Sequence, residues 1–155
     1  METGTTLELF IFGEPQGHPR PRVVRRGKIV STYTPVTDWM KGMMEGFEKE
    51  CPDPRPICGP VAVEMIFWMP RPKTHLKKDG GLRKGKPIYH VGKPDVDNLA
   101  KGVLDAMVRH GFLGDDSLVV YLSCSKRYCD ELVHLEEGEP SDVGCWVKVE
   151  EIENG

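Results

Sequence analysis

Apolar positions follow two different periods along this chain, and the switches between them mark its elements. LELFIF, residues 7–12, alternates and then runs apolar, which predicts a strand. VVRRGKIVSTY, residues 23–33, has two short β-branched runs about Arg26-Gly27, predicting a hairpin that turns at that pair. Trp39, Met40, Met43, Met44 and Phe47 then recur at helical spacing behind Thr34-Pro35. That predicts a core-facing helix with Pro35 in its first position. VAVEMIFWM, residues 61–69, is the clearest strand. Leu99, Val103, Ala106 and Met107 share one face of a second helix, beginning near Asp97 and capped by Gly111. SLVVYLSCSKRY (117–128) and CWVKVEEI (145–152) predict two more strands.

The intervening segments lack a period. GEPQGHPRPR (13–22) is too rich in Gly and Pro for helix and reads as extended and turning. Residues 51–60 form a proline-rich connector, and 71–92 a loop long enough to imply function or mobility. The order predicts an α+β fold. Residues 1–155 form a single small domain, a mixed β-sheet with hairpins packed against two main helices.

Composition narrows the class. A chain of 155 residues buries roughly 70% of its unfolded surface. No apolar run approaches the ~18 residues of a membrane span, so no membrane partner is expected. The first ten residues have no basic segment followed by an apolar one, as a signal peptide would. Five cysteines, an odd count, then read as free thiols in a cytoplasm. A zinc site from Cys51, Cys58, Cys124 and Cys129 is the weaker reading, because the spacings are not those of zinc knuckles.

Charge is more telling in its distribution than in its sum. Residues 130–155 hold nine acids against Lys148, or −8; the whole chain is −3, so the first 129 residues carry +5. Arg20, Arg22, Arg25, Arg26 and Lys28 lie together with no acid among them. Residues 71–93 hold eight bases, Arg71, Lys73, Lys77, Lys78 and Lys93 among them, against Asp79. Either segment alone reads as a solvated loop. Both together, with aspartates directly after the second, favour a phosphate-binding face. His75 and His90 read as solvated loop positions and His110 as a helix C-terminal residue.

Those aspartates are the candidate chemistry. Asp97 at the helix start suits the orphan amides and the dipole there, and Lys101 one turn on can pair with it or with Asp105. Capping leaves Asp95 unexplained. Clustered carboxylates repel unless a cation lies between them, and Mg²⁺ is held by one or two carboxylates plus substrate phosphates. Asp115 and Asp116 join the cluster if the strand after them runs back along the helix; otherwise Gly114-Asp115-Asp116 is a polar turn.

At this point the residues resemble a known family. Asp95-x-Asp97-Asn98, Lys101, Leu104-Asp105-Ala106, Gly111 and the Asp115-Asp116 pair match the RusA family of Holliday junction resolvases element by element. GEPQGHPRPR and RPKTH (71–75) resemble that family's upstream segments, so the likeness runs from about Leu7 to Tyr128. The acidic stretch 129–143 before the last strand, and the negative net charge, depart from it. The resemblance implies a RusA-like fold and a homodimeric endodeoxyribonuclease of phage or prophage type, in a bacterial or phage-infected cytoplasm. It would resolve four-way DNA junctions by paired symmetric cuts during recombination or repair, with Mg²⁺ or Mn²⁺. It further implies that Asp95, Asp97 and Asp116 hold the metal and that Lys101 is also catalytic; the role of Asp115 stays open. Arg20, Arg22, Arg25, Arg26, Arg71, Lys73, Lys77, Lys78 and Lys93 are the expected DNA contacts. Two rival readings remain: a nuclease for flaps, forks or other branched DNA, and a junction-binding protein that does not cut.

Overall fold

The computed structural model describes residues 4, 6–129 and 143–155. The predicted acidic extension 129–143 falls almost entirely outside them. Among the described residues are six strands and two long helices. They are β1 (Thr6–Phe12), β2 (Arg22–Arg26), β3 (Ile29–Tyr33), α1 (Asp38–Glu50), β4 (Val61–Met69), α2 (Val96–His110), β5 (Val119–Tyr128) and β6 (Gly144–Glu151). Four strands form one sheet in the order β1-β6-β4-β5, while β2 and β3 form a separate hairpin. The pairs β1/β6 and β6/β4 are antiparallel and β4/β5 is parallel. The sheet is therefore mixed and the α+β expectation holds.

Alternation explains the sheet. In β4, Val61, Val63, Met65, Phe67 and Met69 are buried on one face, and Cys145, Val147 and Val149 of β6 continue that layer. On this face α1 contributes Trp39, Met43 and Phe47, and α2 contributes Leu99, Val103, Ala106 and Met107. Met40 and Met44 pack at its margin. Both predicted helical stripes thus form the core.

Several boundaries shift. Helix α1 begins at Asp38, not Pro35, because the Thr37 side chain accepts the Met40 N–H at 3.2 Å and caps the first turn there. The hairpin turns at Gly27-Lys28, one residue late, and Gly27 supplies the left-handed φ of +64° that the turn requires. Residues 116–118 form a 3₁₀ turn before β5. Helix α2 begins at Val96, which makes Asp95 its N-cap residue. Gly111 ends it in the left-handed conformation, as expected, and the His110 ring bonds the Cys51 carbonyl at 2.7 Å.

The parallel β4/β5 pair decides where the candidate residues lie. A parallel neighbour needs a crossover, and α2 provides it. It runs from the C-terminal ends of β4 and β5 back to their N-terminal ends, over about 22 Å for 15 residues.

Candidate active site

The groove at the α2 N-terminus is assembled from distant segments. The extended GEPQGHPRPR strap crosses the starts of both helices. Gln16 accepts the Trp39 N–H at 3.3 Å, and Asn98 donates to the His18 carbonyl at 3.4 Å. A Cβ at Gly17 would come within 2.6 Å of the Asn98 amide nitrogen, so a side chain there would displace the Asn98 amide that bonds the strap. His18 then reaches Asp105, with Nε2 3.4 Å from the carboxylate. Asp95, Asp97, Arg20, Lys93 and Glu14 all line the open groove that results. The helix start does turn the two aspartates toward one space.

Asp95 stands at the N-cap, yet its side chain caps nothing. Its carboxylate instead accepts from Lys93 Nζ at 2.8 Å, both groups being exposed. That bond outweighs the opposing effect of desolvation and, with the charges of Lys93 and Lys126 adding to it, holds the Asp95 carboxyl below the usual carboxylate range. Asp95 is therefore an anion with lone pairs unclaimed by the backbone. An exposed pair of this kind contributes little to stability, so Lys93 is readily displaced. Asp97, in the first turn, is also exposed. Lys101 is exposed one turn along and has no ion-pair partner among the described residues.

Lys126, which no local pattern in the sequence singles out, secures the approach to this site. From β5 its ammonium donates to the Gly92 and Pro94 carbonyls at 2.6 and 2.8 Å, fixing the chain just before Asp95. Glu14 escapes sequence reasoning too, since no local spacing joins it to the aspartates.

Asp116 is elsewhere. It follows the C-terminal end of α2 and precedes β5, so within one chain nearly the whole helix separates it from Asp95. The return of β5 along the helix carries the chain back to the groove only at Lys126. Asp115 caps the 3₁₀ turn, accepting from the Ser117 N–H at 3.4 Å and from its hydroxyl, and these bonds hold its carboxyl low. Gly114 is required there, because a Cβ would lie 2.9 Å from the Ile57 carbonyl. Among the described residues no three His, Cys, Asp or Glu side chains are grouped to hold a metal ion. That gives the zinc reading no support, and burial pushes the Cys124 thiol up to about 11.

The basic segments differ in character. Arg20, Arg22, Arg25 and Arg26 are exposed, the last three on the hairpin. Lys73, Lys77 and Lys78 are exposed on the long loop. Arg71 is engaged within the protein: it donates to the Pro87 carbonyl at 2.9 Å and stacks 4.7 Å over Tyr128. His75 and His90 are not solvated loop positions, since both pack edge-on to the same Tyr128 ring at 5.2 Å. Desolvation, with Lys86 and Arg71 near His75 and Lys126 near His90, keeps both imidazoles below the ordinary histidine range.

A family model for the endodeoxyribonuclease RusA matches residues 13–136. The chain belongs to the RusA endodeoxyribonuclease family. The protein YqaN of Bacillus subtilis (strain 168), itself uncharacterized, is 33% identical over 129 residues, covering 81% of this chain and 89% of its own. As a RusA-family protein the chain is an enzyme that hydrolyses DNA, and the family acts on branched DNA junctions. The match takes in the strap, the hairpin, the basic loop, both aspartate pairs and β5. No helix among the described residues is long and apolar enough to cross a membrane.

Proposed function

We propose that this enzyme is a divalent-metal-dependent resolvase that cuts two opposing strands of a four-way DNA junction symmetrically, acting as a homodimer in recombination or repair in a bacterial or phage-infected cytoplasm. The observation that carries this reading is the Asp95 carboxylate, which occupies a cap position without capping and shares an open groove with Asp97. Their all-oxygen donor set suits a hard cation such as Mg²⁺ or Mn²⁺. Such an ion supplies an activated water and neutralises charge on the phosphate.

The chain's own residues do the rest. Asp95 and Asp97 bind the cation, releasing Lys93 to a neighbouring phosphate. Lys101 projects from the same helix, one turn beyond Asp97, where its ammonium can meet the phosphate or the leaving oxygen. Asp116 is the third proposed metal residue. Arg20, Arg22, Arg25, Arg26, Lys73, Lys77 and Lys78 hold the DNA backbone, whose contacts set register without reading sequence. Arg71 shapes the loop that presents the lysines.

A labelled four-way junction and a linear duplex of the same sequence, each with Mg²⁺ or EDTA, test this reading. The expected result is paired, ligatable nicks in the junction alone, abolished by EDTA and by Asp95→Asn. Equal cutting of linear or flapped DNA would discard the junction. Tight binding without cutting would discard the nuclease site.

A further inference from the structure

We propose that the β2–β3 hairpin is a wedge for the branch point of DNA, with Ile29 and Val30 laid against base-pair faces that lose their stacking neighbours there. This rests on the junction reading above and supplies a means of telling a branch from a linear duplex.

The hairpin stands apart from the sheet. Its two strands pair only with each other, and of residues 22–33 all but Val24 are exposed. At the tip, a Cβ on Gly27 would meet nothing within 4 Å. From Arg22 to Arg26 the first strand spans about 13 Å, which sets the tip that far from the strap. An isolated two-stranded ribbon is marginal in water, yet this one shows hydrocarbon on both faces. Val23 and Val30 lie on one face and Ile29 on the other, and they are 65, 56 and 71% exposed.

Charge indicates what covers these side chains. No acid lies between Glu14 and Asp38, while Arg20, Arg22, Arg25, Arg26 and Lys28 all fall there. The register sets Arg22 against Tyr33, Arg25 against Val30 and Arg26 against Ile29, so each hairpin arginine shares a face with an apolar neighbour. A guanidinium beside hydrocarbon suits a surface where phosphate borders an apolar plane. The hairpin also grows straight from the strap: Arg20 lines the Asp95–Asp97 groove, and Arg22 opens β2. Its ligand is therefore the DNA on which that groove acts.

An unbroken duplex offers valine and isoleucine little. Its base edges are read by hydrogen bonds, which neither side chain makes, and its base faces are stacked away. At a branch the strands exchange partners, and the last base pair of an arm loses a stacked neighbour. Aliphatic side chains set between base steps hold such an opened stack. Arg25 and Arg26, on opposite faces of the ribbon, then meet the phosphates to either side.

Ile29→Thr with Val30→Thr keeps both positions β-branched and removes apolar surface. In EDTA, where the metal-dependent step is off, this variant should bind a four-way junction about tenfold more weakly than the unmutated chain. Its binding to linear duplex should stay within about twofold. A fluorescent adenine analogue placed at the branch should brighten as the unmutated chain unstacks it and stay dim with the variant. The same probe placed mid-arm should respond to neither. Ile29→Leu with Val30→Leu gives up β-branching but keeps the hydrocarbon, and should keep both the junction preference and the signal. Equal weakening on junction and duplex, an unchanged preference in the threonine variant, or its loss in the leucine variant overturns the wedge while the junction reading stands. An unmutated chain that binds junction and duplex alike overturns both. Phosphatidylserine vesicles test the other surface that takes basic and aliphatic groups together. Flotation that the threonine variant loses, with its junction binding intact, assigns the hairpin to a membrane and overturns the proposal.

Discussion

Two aspartates in this enzyme occupy the same kind of position and do opposite things. Asp95 and Asp115 each stand at the N-cap of a helical segment with extended backbone. Asp115 turns its carboxylate onto its own turn, through the Ser117 amide and hydroxyl. Asp95 leaves the α2 amides alone and meets only the exposed Lys93. A cap position satisfies one orphan donor when the side chain turns inward, and supplies a free carboxylate when it turns out. The difference separates a structural aspartate from one available to a cation. It also singles out Asp116, not Asp115, as the free member of the second pair.

The largest effect that would sharpen this contrast is on catalysis. Asp95→Asn or Asp97→Asn should reduce junction cleavage at least about a hundredfold, with melting temperature little changed, because neither carboxylate supports the fold. Rates with saturating Mg²⁺ beside calorimetry check it. A loss of stability as large as the loss of rate would break the distinction. Asp115→Ala should do the reverse, lowering the melting temperature by roughly 2–4 °C for a chain of this size while leaving Mg²⁺ affinity intact.

The basic segments should move binding, not chemistry. Arg20→Ala, or Lys77→Ala with Lys78→Ala, should weaken junction binding and flatten its salt dependence. The log–log slope should fall by about one unit for each phosphate that the variant no longer neutralises. Titrations at several salt concentrations read this. Arg71→Ala should instead loosen the loop, since its guanidinium is held by Pro87 and Tyr128.

The smallest expected effect concerns pH. His75 and His90 titrate below their ordinary range when folded, so the native state binds fewer protons than the unfolded one. Stability is therefore full above the ordinary histidine range and declines as pH falls through it. Protection of the amides in residues 71–93, taken as the ratio of intrinsic to observed hydrogen exchange at each pH, should fall between about pH 8 and about pH 5, and replacing both histidines by Gln should remove that dependence. Asp95 loses its charge only at lower pH than an unperturbed acid, which keeps it ionised, and able to bind a cation, further into the acid range.

Period and punctuation alone determined the elements of this protein, because each repeats a local rule. The stripes Trp39–Met43–Phe47 and Leu99–Val103–Ala106 predicted the core faces of both helices, and Gly111 the end of α2. Asp95, Asp97 and Lys101 were legible as a group, being close in sequence on a single helix start. Caps were not legible, since Thr37 and Asp95 differ from Asp97 only in where the backbone turns. Nor were the roles of Lys126, Glu14, Gln16 and Asn98, which act across long sequence separations. Only the tertiary structure decided that β5 lies parallel to β4. That one pairing turns α2 into a crossover and sets Asp95 and Asp116 at opposite ends of it. It also leaves an apolar edge uncovered, because a strand paired on one side keeps its other hydrogen-bonding side free.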